Sequence, residues 1–539
     1  MTEALQGLAD GFAAALTPTN LFWAFFGVTA GTLVGVLPGL GPPATIAILL
    51  PLSVNLEPAT GLIMMAGIYY GAKYGGSTTS ILLNIPGEDA SVATTFDGYQ
   101  MARQGRAGPA LGIAAIGSFI AGTIGLIGLT FLAPAVAELA IIFGPPEYAA
   151  LMILGLSLVV LLAGASKLKG LISGIAGFLL STVGLDLFTG STRFTMGRIE
   201  LANGIEFVAL SIGLFAIGEV MVNVEEETGY KLFKVPQRLK ELFPTKQDMK
   251  DSSGAIAQGS ILGFFIGALP GAGSTVASFI SYAVAKRVSR RPERFGKGAI
   301  EGVAAPESAN NSATAGAFIP LLTLGIPGSA STAIMLGALF LYGLQPGPLF
   351  FTENPDVVWP IIASMFIGNL VLVLLNLPLV PVFASILRIP YHVLYPGIIV
   401  VSIVGVYSIN NSMFDVWVLV VFGLLGYVMR KTDFPTAPLV LAFVLGPLFE
   451  QAVRRSLVIS QGDPSIFITR PWALVFLIVT VLLALGPMVL ARIRSRPGKL
   501  ADALGGDRES AETEGGRKPM GDQERDSEPS MPKKDKGRV

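Results

Sequence analysis

Apolar runs separated by short polar or Pro-Gly segments fill most of the chain. The longest runs are near the length that lets a helix cross the hydrocarbon core of a membrane. They cover residues 111–131, 149–164, 207–222, 361–380, 416–429 and 472–490. Counted on this basis, the pattern predicts an all-α polytopic membrane protein with about eleven or twelve transmembrane segments.

One sequence pattern occurs twice. The segment GTLVGVLPGLGPPAT at residues 31–45 returns in altered form as SILGFFIGALPGAGSTVAS at residues 260–278. Each copy contains Leu-Pro-Gly and is followed by a short stretch of small and polar residues. An Ile-Pro-Gly then follows each stretch, at residues 85–87 and 326–328. Two halves with paired Pro-Gly breaks in apolar sequence are typical of secondary transporters whose site lies near the midplane between repeats.

The charges of matching loops differ between the two halves. Residues 51–60 contain no basic residue, whereas residues 286–297, at the matching place in the second half, read KRVSRRPERFGK. In the loops that follow Ile-Pro-Gly, the difference in charge is the opposite: the first half has Arg103 and Arg106, and the second half has only acidic residues. Because Lys and Arg in short loops stay cytoplasmic, this pattern predicts two inverted-topology repeats.

Composition supports the membrane interpretation and excludes several kinds of site. Hydrophobic residues make up 52% and charged residues 14% of the chain, and the mean hydropathy is +0.65. A soluble domain carries about one quarter charged residues. The chain has no cysteine and a single histidine, which excludes disulfides, Cys-ligated zinc and a multi-histidine metal site.

The polar segments divide the chain into four parts. We expect a first membrane repeat at residues 1–224, a polar connector at 225–254 and a second membrane repeat at 255–491. Residues 492–539 mix charged residues with Gly, Pro and Ser, which predicts a disordered tail. The basic residues directly after the last apolar run place this tail in the cytoplasm.

The Pro-Gly segments predict helix breaks inside the membrane. Proline removes a backbone donor and glycine accepts a positive φ, so one half-helix can end there and another begin. N–H groups at a half-helix start attract a carboxylate, and C=O groups at a half-helix end suit a cation such as Na⁺. The residues expected at helix breaks or beside a cation are Pro38, Gly39, Gly41, Pro86, Gly87, Pro270, Gly271, Gly273, Glu307, Pro327 and Gly328. Alternatively, the small residues only promote helix packing, and the Glu307 carboxylate caps a broken helix.

The polar stretches between the breaks predict the substrate contacts. Hydroxyl and amide groups donate to carboxylate oxygens, and a lysine at membrane depth is a candidate functional residue by default. The predicted substrate-binding residues are Lys73, Ser77, Thr78, Thr79, Ser80, Asn310, Asn311 and Ser312. The alternatives are hydrogen bonding between helices for the neutral residues and snorkelling to the headgroups for Lys73. Glu219 and Asp186 also lie in apolar surroundings, but both are near the expected ends of spans.

Several long motifs resemble those of one transporter family. They include LPGLGPPATIAILLPL, YYGAKYGGSTTSILLNIPGEDASVATTFDGYQMARQGRAG, ALPGAGSTVASFISYAVAKR and EGVAAPESANNSATAGAFIPLLTLGIPGSASTAIMLGAL, in this order. Together they resemble the large permease subunit of the tripartite tricarboxylate transporters. The resemblance implies a bacterial inner-membrane permease that works with a small membrane subunit (TctB-like) and a periplasmic solute-binding protein (TctC-like). It also implies uptake of a carboxylate such as citrate, driven by an ion gradient and without an organic cofactor.

Two other classes and the coupling ion stay open at this stage. A passive anion channel would need a continuous lined pore, and an intramembrane enzyme would need a catalytic constellation built from carboxylates and hydroxyls. The inverted halves argue against the channel. Either Na⁺ or H⁺ could be the coupling ion, and backbone carbonyls exposed at two broken helices slightly favour Na⁺.

Overall fold

Helices form nearly all of the regular structure. The computed structural model describes residues 2–37, 40–162, 166–186, 188–225, 239–382 and 391–494. In this part of the chain the only β-structure is a two-residue antiparallel pair, in which Gly184–Leu185 faces Thr192–Arg193. The prediction of an all-α membrane protein is therefore confirmed.

The helices follow one another with short connections. In the first part they are α1 (Thr2–Ala15), α2 (Pro18–Gly35), α3 (Pro42–Ser53), α4 (Pro58–Leu83), α5 (Val92–Arg103), α6 (Ala107–Ala140), α7 (Pro145–Leu162), α8 (Lys167–Ser181) and α9 (Phe207–Glu225), which has a π-helical turn at Gly213–Ile217. In the second part they are α10 (Leu239–Leu242), α11 (Lys246–Gly267), α12 (Gly273–Val288), α13 (Glu301–Leu324), α14 (Ala330–Leu341), α15 (Phe350–Glu353), α16 (Pro355–Asn376), α17 (Tyr391–Asn410), α18 (Met413–Lys431), α19 (Thr436–Ile459), α20 (Ile466–Thr469) and α21 (Pro471–Arg494). Short 3₁₀ turns lie at Asp89–Ser91, Ile199–Leu201 and Pro292–Arg294.

Length and apolar composition identify only some of the helices as membrane spans. Among the described residues, five helices are long and apolar enough to cross a membrane, or six if α1 and α2, bent by 87°, form one span. Five further apolar helices have 10–17 residues. The expected count of eleven or twelve spans therefore stays a prediction.

Two polar helices occupy the centre of the molecule. Every residue of α4 from Thr60 to Leu82 is buried, and so is every residue of α13 from Gly302 to Thr323. Both helices contain the polar stretches described above, which lowers their hydropathy below that of an ordinary span. Because other helices surround them, their polar side chains find partners inside the protein instead of facing lipid.

The Pro-Gly segments break the helices at matching places. The chain leaves α2 before the first Leu-Pro-Gly and re-enters a helix at α3, and it does the same between α11 and α12. Asn84 directly follows α4 and Gly325 directly follows α13, and both residues are left-handed, with φ of 62° and 67°. A left-handed residue commonly closes a helix, and Ile-Pro-Gly follows directly in both halves. Pro38 and Gly39 lie outside the described residues.

Glycine stripes pack the matching helix pairs. A Cβ atom on Gly27, Gly31 or Gly35 of α2 would lie 2.2–2.5 Å from backbone oxygens of α4. On α11, a Cβ atom on Gly263 or Gly267 would lie 2.4 or 2.2 Å from backbone oxygens of α13. Small residues at this four-residue spacing let backbones approach closely in membranes. The two central helices are thus each held against one glycine-rich neighbour.

The expected connector and tail are described only in part. Helix α11 begins at Lys246, within the segment expected to be the connector, because Thr245 and Asp248 form a capping box. Polar residues assigned to the connector thus form the first turns of this helix. Residues 226–238 of the connector and residues 495–539 of the tail lie outside the described residues. Met1–Ala484 forms one compact unit, and the second unit starts at Leu485.

Candidate substrate site

A cavity of about 640 Å³ lies where the helix breaks of both halves meet. The first half contributes Gly41 from its Leu-Pro-Gly segment and Pro86 and Gly87 from its Ile-Pro-Gly. The second half contributes Gly271 and Gly273 from one break, and Gly328 from the other. The two breaks of the second half also contact each other, because the Gly271 N–H donates to the Gly328 carbonyl at 3.1 Å. Segments that are far apart in the sequence thus line the same cavity.

Several helices begin at this cavity. Its lining includes the first residues of α3, α12, α14 and α19. The first N–H groups of a helix have no partner within the helix and carry the positive end of its dipole. Helix α3 begins with Pro42 and Pro43, which lack an N–H, so the donors come from the other three helix starts. These are Gly273 and Ser274 of α12, Ala330 and Ser331 of α14, and Thr436 and Ala437 of α19. The arrangement suits a carboxylate or another anion.

Lys73 brings a positive charge to the same cavity. Its side chain is 5% exposed, and its Nζ forms an ion pair with Glu88 and donates to Ser274 Oγ at 2.6 Å. The Nζ also lies 5.7 Å from the centre of the Tyr69 ring. The ammonium group is therefore buried between both halves, and it does not snorkel to the membrane surface.

Glu88 connects Lys73 to the second polar stretch. Asn310 Nδ2 donates to Glu88 Oε1 at 2.6 Å, while Asn310 Oδ1 is buried without a partner among the described residues. Glu88 directly follows the first Ile-Pro-Gly and precedes the 3₁₀ turn that starts at Asp89. Residues of both halves thus form one polar network beside the cavity.

Glu307 lies in this polar interior, one helical turn before Asn310. Its Oε2 accepts a hydrogen bond from Ser77 Oγ at 2.6 Å, and its Oε1 accepts one from Thr94 Oγ1. The side chain does not line the large cavity as described. The expected role of Glu307 beside a cation or as a helix cap stays a prediction.

The other predicted contact residues lie deeper among the helices. Thr78 and Ser77 line a small cavity of about 20 Å³, together with Ser118. Thr79 and Ser80 donate to the Gly76 carbonyl at 3.0 Å. Asn311 donates to Ser118 Oγ and Ser312 to the Ser260 carbonyl, both at 2.6 Å. Pro270 and Pro327 belong to the breaks, but neither lines the large cavity. The role of all these residues in substrate binding stays a prediction.

The cavity residues that were not singled out from the sequence include Arg430, Glu88 and Ser274, whereas Glu219 was noted there as an acid in apolar surroundings. Arg430 of α18 forms an ion pair with Glu219 of α9, and both side chains line the cavity. Glu88 directly follows Pro86-Gly87, and Ser274 lies three residues after Gly271, so their positions in the repeat could have identified them. Arg430 lies near a helix end, where a basic residue is expected in any case, and offers no comparable signal.

Asp186 lies in the loop between α8 and α9, away from the residues that line the cavity. Its carboxylate accepts a hydrogen bond from the Phe188 backbone N–H at 2.9 Å and pairs with Arg454 of α19 at 3.0 Å. Arg454 also pairs with Glu450, which Arg193 contacts from the same loop. This ion-pair network attaches the loop to α19.

Comparisons with known proteins identify the family. No solved structure matches the chain. An uncharacterized 52.8 kDa protein in the TAR-I ttuC′ 3′ region of Agrobacterium vitis is 49% identical over 495 residues, which cover 91% of this chain and 98% of that protein. An uncharacterized protein in the TAR-II ttuC′ 3′ region of the same organism is 51% identical over 233 residues, which cover 43% of this chain and 96% of that protein. The family model of the tripartite tricarboxylate transporter TctA family matches residues 21–441, and the chain belongs to this family of multi-pass membrane transporter components.

Proposed function

We propose that the protein is a secondary transporter that imports a small carboxylate, such as a citrate-like di- or tricarboxylate, by using an ion gradient. The observation that carries the proposal is the cavity at which both halves place their helix breaks. Binding sites of secondary transporters lie at such breaks, where half-helix starts face the substrate. Family membership supports the substrate class.

Charge at the cavity supports an anionic substrate. The helix starts of α12 and α14 provide N–H donors, and Lys73 provides an ammonium group. Ser274 lies at the start of α12 and also accepts from Lys73, so a carboxylate placed there would meet both kinds of donor. A charge-assisted hydrogen bond is about twice as strong as a neutral one.

The matching order of breaks and glycine stripes supports alternating access between two inverted repeats. In this mechanism one repeat moves against the other around a fixed site, so that the cavity opens to one side of the membrane at a time. A passive channel would need a continuous lined pore. The charged residues at this cavity instead form two ion pairs, Lys73–Glu88 and Arg430–Glu219.

The proposal includes two protein partners and a location. The tripartite family implies a small membrane subunit and an extracytoplasmic binding protein that delivers the substrate. We place the permease in the bacterial inner membrane, with its basic C-terminal tail in the cytoplasm. Much of the choice among carboxylates would rest with the binding protein.

Uptake by proteoliposomes tests the proposal. The permease, reconstituted with the small subunit, is given labelled citrate, succinate and an aromatic acid, with and without the binding protein, under a Na⁺ or a proton gradient. We expect gradient-dependent accumulation of at least one carboxylate and counterflow when the vesicles are preloaded with it. Equilibration without counterflow would indicate a channel, and chemical conversion of the substrate would indicate an enzyme.

A further inference from the structure

Glu307 is a buried carboxylate whose two oxygens bond only to neutral groups. Its side chain is 1% exposed, and its partners are the hydroxyls of Ser77 and Thr94. In the described part of the chain, no lysine or arginine forms an ion pair with it. An ionised carboxylate without a cation partner is costly in a membrane interior, and such a group takes up a proton instead. Glu307 is therefore suited to hold a proton.

The groups around Glu307 leave its charge uncompensated. The ionisable residues that interact electrostatically with Glu307 are Lys73 and Tyr74 of α4 and Glu88 before the 3₁₀ turn. The packed elements also carry Tyr69 and Tyr70 of α4, Asp89 of the 3₁₀ turn, Asp97, Tyr99 and Arg103 of α5, and Tyr282, Lys286 and Arg287 of α12. The charges of Lys73 and Glu88 cancel in their ion pair. Asp97 accepts from the backbone N–H groups of residues 296, 298 and 299 and from the Tyr282 hydroxyl, so it is stabilised separately.

The same two helices hold Glu307 and the ion pair at the cavity. Helix α4 carries Lys73 at the cavity and Ser77 one turn further along. Helix α13 carries Glu307 and, one turn further along, Asn310, which donates to Glu88. A change in charge or hydrogen bonding at Glu307 therefore acts on Lys73 and Glu88 through short contacts.

A second cavity lies beside a hydroxyl that bonds this carboxylate. The small cavity of about 20 Å³ touches Ser77, Thr78, Ser118 and Asn376. Its lining also includes the apolar residues Leu111, Ala114, Ala115 and Val380, and a cavity of this size has room for about one water molecule. Because Ser77 lines it and also donates to Glu307, a water there would reach the carboxylate through a single hydroxyl.

We propose that Glu307 is the residue that carries the coupling proton, an inference that rests on the proposed carboxylate transport. With Glu307 ionised, the group of Lys73, Glu88 and Glu307 has a net negative charge and repels an entering carboxylate. With a proton on one Glu307 oxygen the group is neutral, and the anion binds beside Lys73. The proton comes from water on the outer side, forms an O–H bond with Glu307, and returns to water on the inner side after the substrate leaves.

Proton uptake during substrate binding tests the inference without any variant. Purified protein in weak buffer is mixed with citrate at a pH above the highest pKa of citrate, so that citrate itself carries no proton. The absorbance of a pH-indicator dye reports the protons that the protein takes up. We expect wild-type protein to take up about one proton per bound citrate. Binding without proton uptake would overturn the inference and leave the proposed carboxylate transport intact, whereas failure to bind or counterflow any of the tested carboxylates would contradict the proposed function itself.

The variant Glu307→Gln separates coupling from transport. We expect it to exchange citrate by counterflow but not to accumulate citrate under a proton gradient. For this variant, the apparent Michaelis constant for citrate should change with pH only as far as citrate itself titrates. For wild type, the same constant should rise about tenfold per pH unit above the pH at which Glu307 ionises. Glu301→Gln, on the first turn of the same helix, is the matched control and should behave like wild type. Accumulation by Glu307→Gln under a proton gradient, or wild-type accumulation that follows only Na⁺, would overturn the inference.

Discussion

The Lys73 ammonium group has two roles: it neutralises the Glu88 carboxylate, and it faces the cavity where we propose that the substrate binds. We expect Lys73→Ala to raise the apparent Michaelis constant for citrate roughly ten- to a hundredfold, because the variant loses a charge-assisted hydrogen bond to the substrate. Lys73→Arg should recover only part of this loss, because the guanidinium is larger and planar. Uptake kinetics in proteoliposomes provide the measurement.

A double variant distinguishes the two roles of Lys73. Lys73→Gln combined with Glu88→Gln removes both charges and leaves no unpaired carboxylate at this position. We expect it to fold better than Lys73→Ala, because an unpaired buried charge costs about 3–5 kcal/mol, while citrate uptake stays impaired. Wild-type uptake in the double variant would mean that Lys73 serves only to neutralise Glu88.

Asp186 makes the stability of one loop depend on pH. The Phe188 backbone N–H and the Arg454 side chain lower the pKa of Asp186 from 3.8 to about 2. The stabilisation is present above the unfolded-state value of 3.8 and is lost as the pH falls through about 2. We therefore expect Asp186→Asn to lower the unfolding temperature at about pH 7, and this difference from wild type should shrink as the pH falls from 3.8 towards 2. Thermal unfolding across this range is the measurement, and a difference that persists unchanged at the acidic end would contradict the ion pair.

At the scale of elements, close contact between helix backbones is the main feature of the α11–α13 pair. Gly263→Ala would place a Cβ atom 2.4 Å from the Ala309 carbonyl oxygen, so the helices would have to separate. We expect a loss of about 1–3 kcal/mol in stability, as for other overpacked interfaces. Thermal unfolding in detergent provides the measurement.

Gly254→Ala is the matched control on the same helix. A Cβ atom at Gly254 meets no atom within 4 Å, so the change affects only helix propensity. Alanine is favoured over glycine by about 1 kcal/mol inside a helix, and this variant should be as stable as wild type or more stable. Equal losses at both positions would mean that close packing is not the cause.

At the scale of the whole molecule, the proposed inverted repeats would place matching loops on opposite sides of the membrane. The chain contains no cysteine, so single cysteines can be introduced without further changes. Asn55, between α3 and α4, and Ser289, after α12, lie at matching places. We expect a membrane-impermeant maleimide to label Asn55→Cys from outside and Ser289→Cys only from the cytoplasmic side. Labelling of both from one side would contradict the inverted arrangement.

The sequence predicts the local breaks better than it predicts the contacts between distant helices. Proline and glycine limit the backbone directly, so the ends of α4 and α13 before each Ile-Pro-Gly follow from local chemistry. Hydropathy is less informative for α4 and α13, because other helices satisfy their polar groups. The Arg430–Glu219 pair depends on how two remote helices rotate and pack, which no local pattern specifies.

The glycine stripes also limit where the protein can bend. If α2 slid along α4 by one residue, a larger side chain would take the place of Gly31 against the Ile68 carbonyl, where even a Cβ atom lies at 2.3 Å. The same restriction applies to α11 and α13 at Gly263. Close packing therefore fixes the register of each pair. The paired helices end at Pro-Gly segments, where the backbone is free to change direction, and residues of these segments line the cavity. Any movement that changes the shape of the cavity would thus have to bend the chain at these segments while the paired helices keep their register.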